Sequence, residues 1–146
     1  MKRHPALIPL SREHHGALIL ARLLQKDAPV YKGLPTDIQG KAEYAYKFYQ
    51  EELVKHFEDE ERVLKLVTGV ESNLDLMIKT IYREHQELHK LFQSIDKHPD
   101  LTSHLDQIGK TLETHIRKEE RELFPLMQET CNEDLMIKVD KSLSPQ

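Results

Sequence analysis

His115-Ile116-Arg117-Lys118-Glu119-Glu120 decides how this chain is read, because His56-Phe57-Glu58-Asp59-Glu60-Glu61 carries the same pattern earlier in the sequence. In both stretches a His and a Glu stand four residues apart, so on an α-helix they project from one face. That face is also the apolar one. Ile38, Ala42, Ala45, Tyr49, Leu53, Val63 or Leu64, and Val67 share it with His56 and Glu60, and Leu105, Ile108, Leu112, Leu123 and Leu126 share it with His115 and Glu119. Ionisable side chains therefore fall where a core belongs.

The arrangement returns further out. Arg12-Glu13-His14 recurs as Arg83-Glu84-His85. His14 lies in a stripe with Leu7, Leu10, Ala17, Leu18, Ala21 and Leu24, and His85 and His89 lie in one with Ile78, Ile81, Tyr82, Leu88, Phe92 and Ile95. The chain reads as two helical hairpins of one design. The spacing predicts helices from Ser11, as N-cap, to about Lys26, and from Thr36 or Asp37 to about Val67, where Thr68-Gly69 stops the chain. Two more run from Ser72 or Asn73 to before His98-Pro99, and from Thr102 or Ser103 to about Thr130. A short segment from about Glu133 to Lys141 is expected to pack on the outside. No stretch alternates with period two. The expected fold is all-α: an up-down-up-down four-helix bundle with a short additional C-terminal helix, one domain over residues 1–146 with the bundle at about 10–130. Pro125 is expected to kink the last long helix.

Composition narrows the classes. A chain of 146 residues makes one ordinary domain. With 38% apolar and 32% charged residues it is too apolar for a disordered tail and too charged for a membrane protein. The longest apolar run, Ala17 to Ala21, cannot span a bilayer, and no signal peptide follows the basic Met1-Lys2-Arg3-His4-Pro5, so a cytoplasmic location is expected. A net charge of −4 argues against nucleic-acid binding. The single Cys131 excludes an internal disulfide and a cysteine-based zinc or iron–sulfur site within one chain.

Seven residues on the inward stripes remain to be explained: His14, His56, Glu60, His85, His89, His115 and Glu119. Each unsatisfied buried polar group costs about 1–3 kcal/mol, and seven would consume much of a domain's roughly 5–15 kcal/mol of stability. A metal centre satisfies them together. Imidazoles and carboxylates without thiolate suit iron, manganese or another borderline first-row ion, whereas one structural zinc would leave about three ligands idle. Two six-coordinate metals, bridged by Glu60, Glu119 and an oxide or hydroxide, use every residue and leave coordination positions for a small ligand. The residues alone leave the pair of ions open among iron, manganese and other borderline first-row metals, with zinc as a substitute. On the first helix His14 is preferred to His15, which shares its face with Arg22 and Lys26. Spacing favours Glu60 and Glu119 over Glu61 and Glu120, although a kinked helix would present the next residue. His4, His98 and His104 are expected in solvent, and Tyr49 and Tyr82 are expected to pack in the core with their hydroxyls satisfied locally. No catalytic residue and no protein partner are assigned.

With these motifs and Leu123-Phe124-Pro125, the chain resembles the hemerythrin-like, or HHE cation-binding, family from about Leu10 to Glu129. The resemblance implies a four-helix bundle around a non-haem di-iron centre, with His14, His56, His85, His89 and His115 as terminal ligands and Glu60 and Glu119 as bridges. Oxygen-carrying members resemble His-x4-Asp on the last helix, whereas this chain has His-x3-Glu. That pattern is closer to a broader bacterial branch of iron–sulfur repair proteins and sensors of oxygen, nitric oxide or iron. The repair proteins generally carry a further cysteine-bearing N-terminal domain, for which this chain is expected to have no room. The expected function is a di-iron protein that binds a small diatomic ligand, oxygen or nitric oxide, for sensing, scavenging or carriage. The alternative is a di-iron redox enzyme or an iron-donating cluster repair protein. A ferritin-like store ranks below both, because no Glu-x-x-His occurs in the sequence.

Overall fold

Side-chain acceptors start most of the helices in the computed structural model, which describes residues 2–144. Asp37 accepts from the Gly40 amide and opens α2 (Ile38–Phe48), Glu71 accepts from Asn73 and Leu74 and opens α4 (Ser72–Gln93), and Asp100 accepts from Ser103 and opens α5 (Leu101–Lys118). Asn132 does the same for α7 (Glu133–Leu143). α1 (Ile8–Leu23) follows a 3-10 turn at Pro5–Leu7. Two helices are interrupted by π-helical turns: α2 passes through Tyr49–Leu53 into α3 (Val54–Val67), and α5 passes through Glu119–Leu123 into α6 (Phe124–Thr130). Among the described residues all regular structure is helical, and no helix is long and apolar enough to cross a membrane.

Three local expectations change. Ser11 is not the N-cap. His4 Nδ1 accepts the Ala6 amide and Pro9 sits in the first turn, so the chain is helical before Ser11, whose hydroxyl turns to Glu120. Ile38 is exposed rather than inward, because it stands at the first position of α2. His104 is buried in α5, its Nε2 2.8 Å from the Leu91 carbonyl oxygen, and it lies under the exposed ring of His98. The irregularity at Pro125 takes the form of a π turn. In α geometry the proline ring would clash with the carbonyl four residues back. The Phe124 amide reaches back instead to the Glu119 carbonyl, five residues away, which widens the helix just before the proline. Gly69, at φ +88°, ends the α3 segment in a conformation that side chains with a Cβ disfavour.

Apolar residues collect in two clusters. One holds Leu20 of α1 and Leu24 just after it, Ala42 and Ala45 of α2, Leu88 and Phe92 of α4, and Leu105 and Ile108 of α5. The other holds Leu10 of α1, Val63 and Val67 of α3, Leu74 and Ile78 of α4, and Leu123 and Met127 beyond α5. The end of α1 thus meets the start of α2, and the start of α1 meets the end of α3. α7 packs on α3 and on the first 3-10 turn. Between the clusters lie His14, His56, Glu60, His85, His115 and Glu119, all buried.

α1 and α5 approach closely at Gly109, where a Cβ would stand 2.4 Å from the Ala21 carbonyl oxygen. The contact is with backbone, so it cannot be relieved by a side-chain rotation. Gly109→Ala should destabilise the protein by about 1–3 kcal/mol through forced separation of the two helices, read as a lower midpoint in urea unfolding.

Candidate metal centre

Four imidazoles enter the polar layer in the same orientation. His14 Nε2 lies 3.3 Å from Glu60 Oε2 and 3.0 Å from Glu119 Oε1. His56 Nε2 is 3.1 Å from Glu60 Oε2, His85 Nε2 is 3.0 Å from Glu60 Oε1, and His115 Nε2 is 3.3 Å from Glu119 Oε1. The outer nitrogens each meet another carboxylate: His14 Nδ1 with Glu120 at 2.6 Å, His56 Nδ1 with Glu13 at 2.9 Å, His85 Nδ1 with Glu61 at 2.7 Å and His115 Nδ1 with Glu84 at 2.7 Å. An acceptor on Nδ1 fixes the tautomer and leaves the Nε2 lone pair for a cation, and it raises the basicity of the ring.

The donors form two groups that share both central carboxylates. His14, His56, Glu60 and Glu119 make one, and His85, His115, Glu60 and Glu119 make the other, each with its ligand atoms within 4.8 Å of one another. Despite this closeness, His56 Nε2, His115 Nε2 and both carboxylate oxygens of Glu119 are buried without a hydrogen bond. Such orphans are costly in a folded protein. Atoms that converge without bonding one another suit a pair of cations held between them, so the residues fit a two-metal centre.

Protonation carries the same message. Burial by itself lowers each imidazole pKa, but the carboxylates outweigh it. The carboxylates of Glu119, Glu120 and Glu60 around it push His14 up to about 12. The charge of Glu60 and a hydrogen bond with Glu13 push His56 to about 9, and hydrogen bonds with Glu60 and Glu61 push His85 to about 10. Glu60, buried but facing His56, His14 and His85, is held well below the usual carboxylate range, whereas burial and the neighbouring Glu60 charge push Glu119 up. Without cations the two central carboxylates cannot share the layer equally.

The remaining predicted residues can now be placed. His15 is exposed, so the first helix contributes His14 to the layer. Glu61 and Glu120 stand on the outer side of the imidazoles. His89 is not brought into either group. It is half-buried, its Nδ1 is 2.6 Å from the Tyr49 hydroxyl, and the ring of Phe57 packs against both it and His85. Tyr82 donates to the Glu61 carbonyl. His4 is half-buried rather than free in solvent, with Nε2 3.1 Å from Glu133. Cys131 is buried in the apolar cluster around Met127, and burial pushes its thiol pKa up. What sequence reasoning missed is the role of Glu13, Glu61, Glu84 and Glu120. Their signal was present, since each belongs to the repeated Glu-His and Glu-Glu pairs.

Two clefts lead to the layer from outside. One of about 200 Å³ is bordered by Arg12, Glu13, Gly16, Phe48, Glu52, Leu53 and His56. The other, of about 310 Å³, is bordered by Glu84, Glu87, Lys110, Thr111, Thr114 and His115. They end on equivalent pairs, Glu13–His56 and Glu84–His115, so solvent reaches both outer carboxylates.

The model of the hemerythrin HHE cation binding domain matches residues 9–127. No curated protein and no solved structure matches the chain.

His56→Ala should remove most of the bound metal and His89→Ala should leave it, as measured by elemental analysis of purified, folded protein. A second expectation concerns pH. The raised imidazole pKa values stabilise the metal-free fold fully below the ordinary value of 6.5, and that contribution is lost as pH rises through about 9 for His56, 10 for His85 and 12 for His14. Metal-free protein should therefore show a falling Tm from neutral pH to above pH 9 or 10, while metal-loaded protein, whose imidazoles carry no inner proton, should change less.

Proposed function

The chain belongs to the hemerythrin HHE cation-binding domain family, and on that premise we propose that it is a non-haem di-iron protein that reversibly binds a small diatomic ligand, oxygen or nitric oxide, for sensing, scavenging or carriage. The scaffold in this reading is an up-down-up-down four-helix bundle with α7 on its outside. The observation that carries the proposal is the convergence of four imidazole Nε2 atoms and two shared carboxylates into two adjoining donor groups. Two iron ions would supply redox activity and exchangeable coordination positions.

The chain's own groups have separable tasks. Glu60 and Glu119 offset buried positive charge and hold the two donor groups at a fixed separation. Glu13, Glu61, Glu84 and Glu120 orient the imidazoles. Each donor group draws only two imidazoles and two shared carboxylates from the chain, fewer than six donors, so a small ligand has a place to bind. Phe57 and Phe124 pack against His85 and His14 and limit the room to a small molecule. The nitrogen and oxygen donor set, with no thiolate, favours iron over a thiolate-selected ion.

Anaerobic reconstitution with ferrous iron should give about two irons per chain, and exposure to oxygen or nitric oxide should produce a near-ultraviolet and visible band that reverses on removal of the gas. Irreversible oxidation would shift the reading to a redox enzyme or iron donor. Absence of stoichiometric iron would overturn it.

A further inference from the structure

The second π turn leaves a carbonyl without a helical partner. Phe124 N–H, which would serve the Glu120 carbonyl in α geometry, goes to Glu119. The next amide belongs to Pro125, which has no N–H to give. The orphaned Glu120 oxygen instead accepts from Arg3, with Nη2 at 2.7 Å. The same Nη2 donates to Glu120 Oε1 at 3.1 Å, and the Arg3 guanidinium lies over the Phe124 ring, 5.2 Å from its centroid. Phe124 in turn stacks on His14, and the Glu120 carboxylate holds His14 Nδ1 at 2.6 Å. Arg3 therefore braces His14 by two routes and braces the backbone that carries Glu119. On the other side of the layer, Glu61 holds His85 without any cation paired to it among the described residues.

We propose that Arg3 is a positioning residue of the metal centre. By closing the carbonyl that Pro125 orphans and fixing the Glu120–His14 bond, it sets the affinity of the donor group containing His14 and His56, and leaves the group containing His85 and His115 largely alone. The inference rests on the two-metal reading above. Losing an outer partner of a metal-bound imidazole typically costs ten- to a hundredfold in metal affinity. The guanidinium is suited to this place because one nitrogen can give separate N–H bonds to the carbonyl and the carboxylate while the planar group covers a ring.

Metal-free wild type, Arg3→Ala, Arg3→Lys and Glu133→Ala would be titrated anaerobically with cobalt(II) alone, following its visible absorption, with circular dichroism recorded on each. Wild type should bind about two cobalt ions per chain. Arg3→Ala should weaken one binding step by about ten- to a hundredfold and leave the other near wild type, and Arg3→Lys, with a point charge in place of the fork, should fall between. Glu133→Ala, which frees His4 without touching Arg3, should keep both steps. Wild-type affinity at both steps in Arg3→Ala overturns the inference, and so does an equal loss at both, which would mark a merely structural role. If Arg3→Ala does not fold, Arg3→Lys decides by the same criterion. A wild-type chain that binds no cobalt overturns the two-metal reading itself, whatever the variants do.

Discussion

Charge buried between two apolar clusters is the constraint around which the other features are arranged. Carboxylates and imidazoles lie within a few ångströms of one another there, at 0–4% exposure. Removing such groups from water costs several kcal/mol per ion unless partners compensate. Here part of the compensation comes from outside the layer, through a carboxylate on every Nδ1. The rest has to come from within, and protons do it imperfectly, since the Glu119 carboxylate and the Nε2 atoms of His56 and His115 stay without hydrogen bonds. A pair of dications fits both the charge and the geometry. The helices then serve as rods that bring donors to one level, and the apolar clusters on either side keep that level dry.

Repetition supplies that economy. One hairpin gives His14 with Glu13, then His56 with Glu60 and Glu61, and the other gives His85 with Glu84, then His115 with Glu119 and Glu120. Half of the outer contacts run across the pairing: Glu120 of the second hairpin holds His14 of the first, and Glu61 of the first holds His85 of the second, while Glu13–His56 and Glu84–His115 stay within one hairpin. Neither hairpin can complete its own centre, so the metal layer also ties the two halves of the chain together.

The halves differ where the helices are irregular. One π turn precedes His56 and begins with Tyr49, which meets His89, and the other begins at Glu119 itself. Glu84 is paired with Lys118 and Glu120 with Arg3, whereas Glu13 and Glu61 face solvent with their imidazoles alone. Each donor group thus has one outer carboxylate paired with a cation and one, more exposed, without such a pair among the described residues.

By itself the sequence determined the all-helical class, the inward stripes and the pairing of His56 with Glu60 and His115 with Glu119. The reason is that helical period is local: four residues make about one turn, and composition at that spacing reveals which side chains share a face. It also distinguished His14 from His15, because one step of rotation separates an apolar stripe from a charged one. Tertiary structure alone decided what meets the far side of each ring. Glu13, Glu61, Glu84 and Glu120 act on imidazoles of other helices, and no spacing along one helix encodes a contact across two. His89 has the right period but lies one turn beyond His85, at the level of Tyr49 and Phe57 rather than of the carboxylates. His104 is buried because the chain after Gln93 folds back so that Leu91 presents a carbonyl to it. Arg3, distant in sequence from everything it braces, acquires its partner only when a proline in another helix leaves a carbonyl unpaired.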